Sequence, residues 1–274
     1  MAEPNERYER NEPAKLCIGN QKGGVGKTTI AINLAGALNQ RGRDVLFVDL
    51  DPQGNATEGL GHLDAYDAQP PTLFDALTDP AQRSSITDLV IEHEEMDIVP
   101  SNIDMTAIES ELTLSRRTGE QLALALDEIE HQYEYVIVDS PPHLGHLTDN
   151  ALYATQNILI PALAESTSKR ALELMFDHME TLELDYDITM QECGVVANRV
   201  EETNEGKEMM EWFNEAFPDV PVWEIRKRVA LQRAFSTGVS IFEYNPEVDM
   251  CDVFLSIADE LEHQFGFARS EVRA

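Results

Sequence analysis

Residues Gln21-Lys22-Gly23-Gly24-Val25-Gly26-Lys27-Thr28-Thr29 follow a short apolar stretch and precede a helix with apolar periodicity. Strand, glycine-rich turn and helix in that order make an anion-binding loop. The turn aims backbone N–H groups at one point, and the helix dipole adds positive charge there. Gly23, Gly24, Val25, Gly26, Lys27, Thr28 and Thr29 would cradle phosphates. Lys27 would reach the outer phosphates, and the Thr28 hydroxyl would ligate Mg2+. The strict pattern G-x-x-x-x-G-K-S/T is not met, because Gln21 stands where its first glycine falls. The chain reads K-G-G-x-G-K-S/T instead, with a second lysine, Lys22, five residues before the usual one.

Outward from the loop, strand and helix patterns alternate. Residues 15–18 read as a strand. Residues 27 to about 40 read as a helix with Ile30, Leu34 and Leu38 on one face, stopped by Gly42. The continuous apolar runs at 44–49 and 135–138 suit parallel strands buried on both faces. Shorter strands are expected at 97–100, 158–160, 194–197 and 220–225. Helices are expected at 107–114, 119–132, 167–182 and 248 to about 265. This alternation implies βαβ units and an α/β fold. The expected architecture is a single-domain, doubly wound, mostly parallel sheet with helices on both faces, of the P-loop NTPase type. Its span is 14–267, after a polar leader (1–13) and before a short tail (268–274). Ligands of such sheets sit at the carboxyl ends of the strands.

Two strands end there in acid. Asp49-Leu50-Asp51-Pro52 closes one apolar run and Asp139-Ser140-Pro141-Pro142 closes another. An aspartate after a buried strand beside a phosphate loop holds Mg2+. Asp139 is the first choice for that role and Asp49 the second. Asp51 is placed to orient an attacking water. Lys22 has no place in an ordinary loop of this kind. A cation there can neutralise charge on a transferring phosphoryl group, in its own subunit or across a dimer.

Composition bounds the setting. There are 51 acidic and 20 basic residues, a formal net charge of −31. The acids are dispersed rather than gathered in a tail. This resembles proteins of salt-loaded cytoplasms and predicts a halophilic source. Such a surface repels nucleic acid and anionic lipid except at a local basic patch. No apolar run is long enough to span a membrane. Three widely spaced cysteines, Cys17, Cys193 and Cys251, suggest neither a disulfide framework nor a zinc site and fit a reducing cytoplasm.

The residues NQKGGVGKTT (20–29), DLDPQGNAT (49–57), IVPSNID (98–104) and VDSPPHL (138–144) together resemble the ParA/Soj-type partition ATPases, of the deviant Walker A class that also holds MinD. The resemblance covers about 14–265. It implies an Mg2+-dependent ATPase that forms a homodimer on binding ATP. By the same resemblance, Lys22 crosses to the partner's nucleotide, Lys27 and Asp51 are catalytic, and Thr28 and Asp139 serve the metal. Asn198 and Arg199 stand where the family contacts adenine. The ATP dimer is expected to bind double-stranded DNA without sequence preference and to partition chromosomal or plasmid DNA. A ParB-type protein would activate hydrolysis. The expected location is cytoplasmic and nucleoid-associated. The chain departs from the family at Ser140 and His143, where a cysteine and a serine are common. It departs again at Arg226-Lys227-Arg228, where many relatives have Pro-Arg-Asn. His143, a single histidine in a turn, reads as structural.

Arg226, Lys227, Arg228 and Arg233 form a basic cluster on an acidic chain. Lysine and arginine contacts to phosphate are the sequence-independent part of DNA affinity, so this cluster is the expected DNA-binding face. The rival readings are a ParA-like ATPase that positions a protein cargo, a MinD-like membrane-cycling ATPase and an iron–sulfur ATPase. The membrane reading needs a basic amphipathic tail, whereas residues 260–274 are glycine-broken and mixed in charge. The iron–sulfur reading needs paired cysteines.

Overall fold

The computed structural model describes residues 12–115 and 117–267. Most of the expected leader, residues 1–11, and the tail, 268–274, lie outside the described residues. Strands β1 (Ala14–Ile18), β2 (Val45–Asp49), β3 (Asp97–Val99), β4 (Tyr135–Asp139), β5 (Asn157–Leu163), β6 (Gln191–Val200) and β7 (Val222–Arg226) form one sheet. Its order is β3-β2-β4-β1-β5-β6-β7, and every neighbouring pair is parallel.

Helices cover both faces. On one face lie α1 (Lys27–Gln40) and α2 (Asn55–Gly59). The chain then forms α3 (Leu63–Tyr66), α4 (Leu73–Thr78), α5 (Ile86–Leu89), α6 (Ile108–Leu112), α7 (Gln121–Leu126), α8 (His146–Thr155), α9 (Ser168–Tyr186) and α10 (Asn204–Ala216). It closes with α11 (Val229–Ser236), α12 (Ile241–Tyr244) and α13 (Met250–Gln264). The strands sort their side chains between two cores by alternation. Leu46, Val48, Val136 and Val138 pack with residues of α4 to α10. Val45, Phe47, Tyr135 and Ile137 pack with α1, α2 and α11 to α13. Two buried faces explain why these strands read as unbroken apolar runs.

The sheet order places the site. From β1 the chain crosses to β2 on one side of β4, and from β4 it crosses to β5 on the other side of β1. The crevice where these crossings diverge opens at the carboxyl ends of β1 and β4. Register makes the strand ends level: Ile18 pairs with Asp139, and Asp139 pairs with Asp49.

Some elements differ from expectation. The helix expected at 119–132 is only α7, flanked by 3-10 turns at Thr118–Glu120 and Glu130–Gln132. After α7 the bonds tighten, as in Ile129 N–H to the Leu126 carbonyl at 2.9 Å, and this turns the buried Ile129 into the core ahead of β4. The segment at 107–114 starts as a 3-10 turn, Ile103–Ala107, before α6.

The C-terminal helix is fastened to α1 by charge. Buried Glu262 accepts from Arg41 Nε at 3.0 Å and from Arg43 Nε at 2.6 Å. Without it Arg41 is left to the more exposed Asp259 at 2.7 Å and Arg43 to Glu134 at 3.1 Å, so both guanidinium groups lose their buried counter-charge. Glu262→Ala should therefore destabilise the protein by about 3 kcal/mol. Thermal melts followed by circular dichroism would read this as a fall of several degrees, retained in high salt. A loss under about 1 kcal/mol would show that water replaces the carboxylate without penalty.

Candidate nucleotide site

The loop between β1 and α1 is shaped by two glycines in the left-handed region, Gly24 (φ 74) and Gly26 (φ 93). Gly26 is the N-cap of α1, with no side-chain cap and no acid in the first turn. The dipole and first-turn N–H groups of α1 are thus left to whatever the loop holds. Lys27 is buried and folds back, its Nζ donating to the Asn20 carbonyl at 3.1 Å. Burial lowers its pKa, while the Asp139 and Asp51 carboxylates oppose the shift.

Asn20 is a site residue that was read only as part of the motif. It is buried, its Nδ2 donates to the Pro161 carbonyl of β5 at 2.6 Å, and its Oδ1 accepts the Lys22 N–H at 2.9 Å. Asn198 braces the loop from β6, donating from Nδ2 to the Val25 carbonyl at 2.7 Å. A Cβ at Gly26 would sit 2.2 Å from that nitrogen, so only glycine fits. Beside it, Arg199 has φ 54, and the β6–β7 register slips between Asn198 and Val200. This bulge aims the exposed Arg199 away from the ladder. In this form Asn198 is therefore a loop brace. Thr29 holds its own helix turn, its carbonyl accepting Asn33 Nδ2 at 2.7 Å.

The three acids have different surroundings. Asp49 is fully buried, and its Oδ2 accepts both the N–H and the hydroxyl of Thr57 at 2.7 Å. Its Oδ1 accepts the Asp51 N–H at 3.3 Å. Burial still pushes it up to about 6, against those bonds. Asp51 is 5% exposed and accepts the Gln53 N–H at 3.0 Å. Asp139 is 1% exposed, and among the described residues neither carboxylate oxygen meets a hydrogen-bond partner in good geometry. Burial and the neighbouring Asp49 raise its pKa well above the usual range; the Thr28 hydroxyl and Lys27 lie near and favour its charged form. An orphaned buried carboxylate next to a hydroxyl suits a hard cation with oxygen ligands. Asp139 and Thr28 fit Mg2+ on that ground, whereas both Asp49 oxygens are already engaged.

Lys22 stands at the mouth of the loop. Its Nζ donates to Thr167 Oγ1 at 2.7 Å and pairs with Glu165 at 3.2 Å. Neither partner was singled out from sequence; only their place after β5 could have pointed to them. The basic cluster is split across elements. Arg226 ends β7 and pairs with Glu224 at 2.9 Å, and Arg228 precedes α11 and pairs with Asp249. Lys227 and Arg233 are exposed and make no ion pair among the described residues. Cys17, Cys193 and Cys251 are buried free thiols, and burial pushes Cys17 up to about 12.

Known proteins resemble this chain along most of its length. A family model described as an AAA domain matches residues 14–192. Sporulation initiation inhibitor protein Soj of Bacillus subtilis is 35% identical over 250 residues, covering 90% of this chain and 97% of Soj. This chain belongs to the ParA/Soj family of ATPases. Chromosome partitioning protein ParA of Myxococcus xanthus is 34% identical over 251 residues, 90% of this chain and 87% of that protein. Among solved structures, an ATP complex of McdA from Cyanothece superposes with a TM-score of 0.80 over 96% of this chain and 100% of that one. At 23% identity, that likeness is one of fold.

The orphaned carboxylate gives the ATPase a testable signature. Its folded-state pKa lies above the unfolded value, so the stability tied to its proton is present at low pH and lost as pH rises. Asn at this position mimics the protonated form at every pH. Asp139→Asn should raise the stability of the nucleotide-free protein by about 1–3 kcal/mol at pH 8, by less at pH 5, and abolish Mg2+-dependent turnover. Melting curves at both pH values and an ATPase assay would check this. A variant less stable than wild type at pH 8 would show that the carboxylate is already satisfied.

Proposed function

We propose that this ATPase is an ATP-dependent dimer switch that partitions chromosomal or plasmid DNA, with ATP and Mg2+ as cofactors. The observation that carries the reading is the division between two lysines. Lys27 is buried under the loop and serves its own site, whereas Lys22 lies at the rim, held by a partly exposed pair with Glu165. A lysine at the rim can leave that pair and meet the nucleotide of a second copy. Thr28 and Asp139 would hold Mg2+, and Asp51 would orient the water. The metal, when bound, offsets charge on the β- and γ-phosphates.

Lys22→Ala should retain ATP binding and lose dimer formation or hydrolysis. Sedimentation velocity with and without ATP, together with steady-state turnover, tests it. Wild-type dimerisation and turnover in the variant would sink the cross-subunit role.

DNA as cargo is supported by the names of the partitioning relatives and by the exposed Lys227 and Arg233. Asn198 and Arg199 are retained as adenine contacts once the loop brace is released. A ParB-type protein is the expected activator and the nucleoid the expected location. No helix among the described residues is long and apolar enough to cross a membrane. A protein cargo is the second reading, favoured by one observation: Arg226 and Arg228 already face carboxylates.

Co-sedimentation on long double-stranded DNA, with ATP, ADP or no nucleotide across a KCl series, separates the two. ATP-specific binding that fades with salt is expected, and Lys227→Glu/Arg233→Glu should weaken it by about ten-fold or more while ATP dimers persist. ATP dimers without DNA binding in any state would move the assignment to a protein cargo.

A further inference from the structure

The loop after Asp139, Ser140-Pro141-Pro142-His143-Leu144-Gly145, leads into α8. Its first residue is tied to β1: the Ser140 N–H and Oγ both donate to the Ile18 carbonyl, at 3.3 and 3.0 Å. Farther on, Pro142 faces the phosphate loop, 3.8 Å from where a Cβ on Gly23 would be. The far end is tied from another element. Glu109, in the first turn of α6, reaches across and accepts the His146 N–H at 2.9 Å and the Leu147 N–H at 3.1 Å. It thereby caps the N-terminus of α8, where the dipole favours a carboxylate. The same carboxylate meets His143 Nε2 at 3.1 Å, and Thr148 Oγ1 closes the turn by donating to the His143 carbonyl at 2.6 Å. Burial works to raise the Glu109 carboxyl, but the two N–H groups and His143 outweigh it and hold it below the usual range. Gly145 is the residue that lets the carboxylate in, since a Cβ there would lie 2.9 Å from both Glu109 oxygens.

We propose that Glu109 is a positioning residue for ATP hydrolysis: with His143 it fixes the far end of the loop between Asp139 and α8. His143, read from sequence as a turn histidine of structural character, becomes the second member of this clamp. The inference rests on the reading of Asp139 as the metal-side acid. The phosphate loop supplies ground-state binding through its backbone and α1, neither of which touches Glu109. Error in the Asp139 loop therefore falls on the alignment of the reacting end and not on affinity. Misplacement by a fraction of an ångström to an ångström costs about 10- to 100-fold in rate.

The test is steady-state ATP turnover by the full chain at saturating Mg2+, comparing Glu109→Gln, Gly145→Ala and the double variant. Glu109→Gln keeps an acceptor for one N–H but loses the charge that His143 and the helix dipole favour. Gly145→Ala pushes away the free end of a flexible side chain, so the fold survives. Each single variant should lower kcat by about ten-fold or more, with KM for ATP within about two-fold and the thermal midpoint within a few degrees. The double variant should lose no more than the singles, because both remove one clamp. Unchanged kcat in Glu109→Gln overturns the proposal. So does a parallel loss of kcat, ATP affinity and thermal midpoint, which marks a purely structural residue. Failure of the underlying site reading has its own signature, Mg2+-dependent turnover surviving in Asp139→Asn.

Discussion

Asp139 is buried with neither carboxylate oxygen meeting a hydrogen-bond partner in good geometry among the described residues, and the site is arranged around that charge. Three strand ends stand level there, because β4 pairs in register with β1 on one side and β2 on the other. Two aspartates side by side in a dry sheet would repel each other if both ionised. The structure treats them differently. Thr57 donates twice to Asp49, which ties α2 to β2, whereas Asp139 is left to the nearby Thr28 hydroxyl. Lys27, buried nearby, is the cation that shares this low-dielectric space. A divalent ion there would take the place of the proton that burial favours on Asp139, and its charge would offset that of the phosphates.

The phosphate loop is gripped from two strands other than its own. Asn20 hangs from the Pro161 carbonyl of β5, and Asn198 of β6 holds the Val25 carbonyl. None of these contacts is strong alone; a net hydrogen bond contributes about 1 kcal/mol. Together they make the loop conformation a property of the sheet. A change that shifts the β6 bulge is felt at the phosphate cradle through Asn198. A nucleotide switch requires that kind of linkage, and here it runs through side chains short enough to leave little slack.

Much of this was legible in the sequence. The loop, α1 and the central strands were readable because their signals are dense: glycines at fixed offsets, and apolar runs that only a two-face-buried strand tolerates. The sheet class followed from alternation. What escaped has physical causes. Helix α8 begins without a side-chain cap of its own, because Glu109 supplies one from 37 residues away. Helix α10 buries Met209 and Phe213 among glutamates, so its apolar face is diluted by surface acids. The break after α7 answers to where Ile129 must go, which is a tertiary demand. The Lys22–Glu165 and Asn198–Val25 contacts join residues 143 and 173 positions apart, beyond the reach of any local pattern.

Charge gives a last argument about the surface. With 51 acids and 20 bases, most cations of this chain can find a carboxylate within reach. Many do: Lys15 with Glu130, Arg41 and Arg43 with Glu262, Arg226 with Glu224, Arg228 with Asp249. The buried members of this set hold the fold, and salt hardly screens them. Lys227, ahead of α11, and Arg233, within it, face solvent without an ion pair among the described residues, as do Arg199 and Lys207. Exposed cations of this kind are open to an anion that arrives from outside. Such contacts are made at the rim of the molecule, where salt weakens them, while the Arg41–Glu262 fastening endures. High salt should therefore separate the two roles of positive charge, weakening any anion contact at the surface before it loosens the fold.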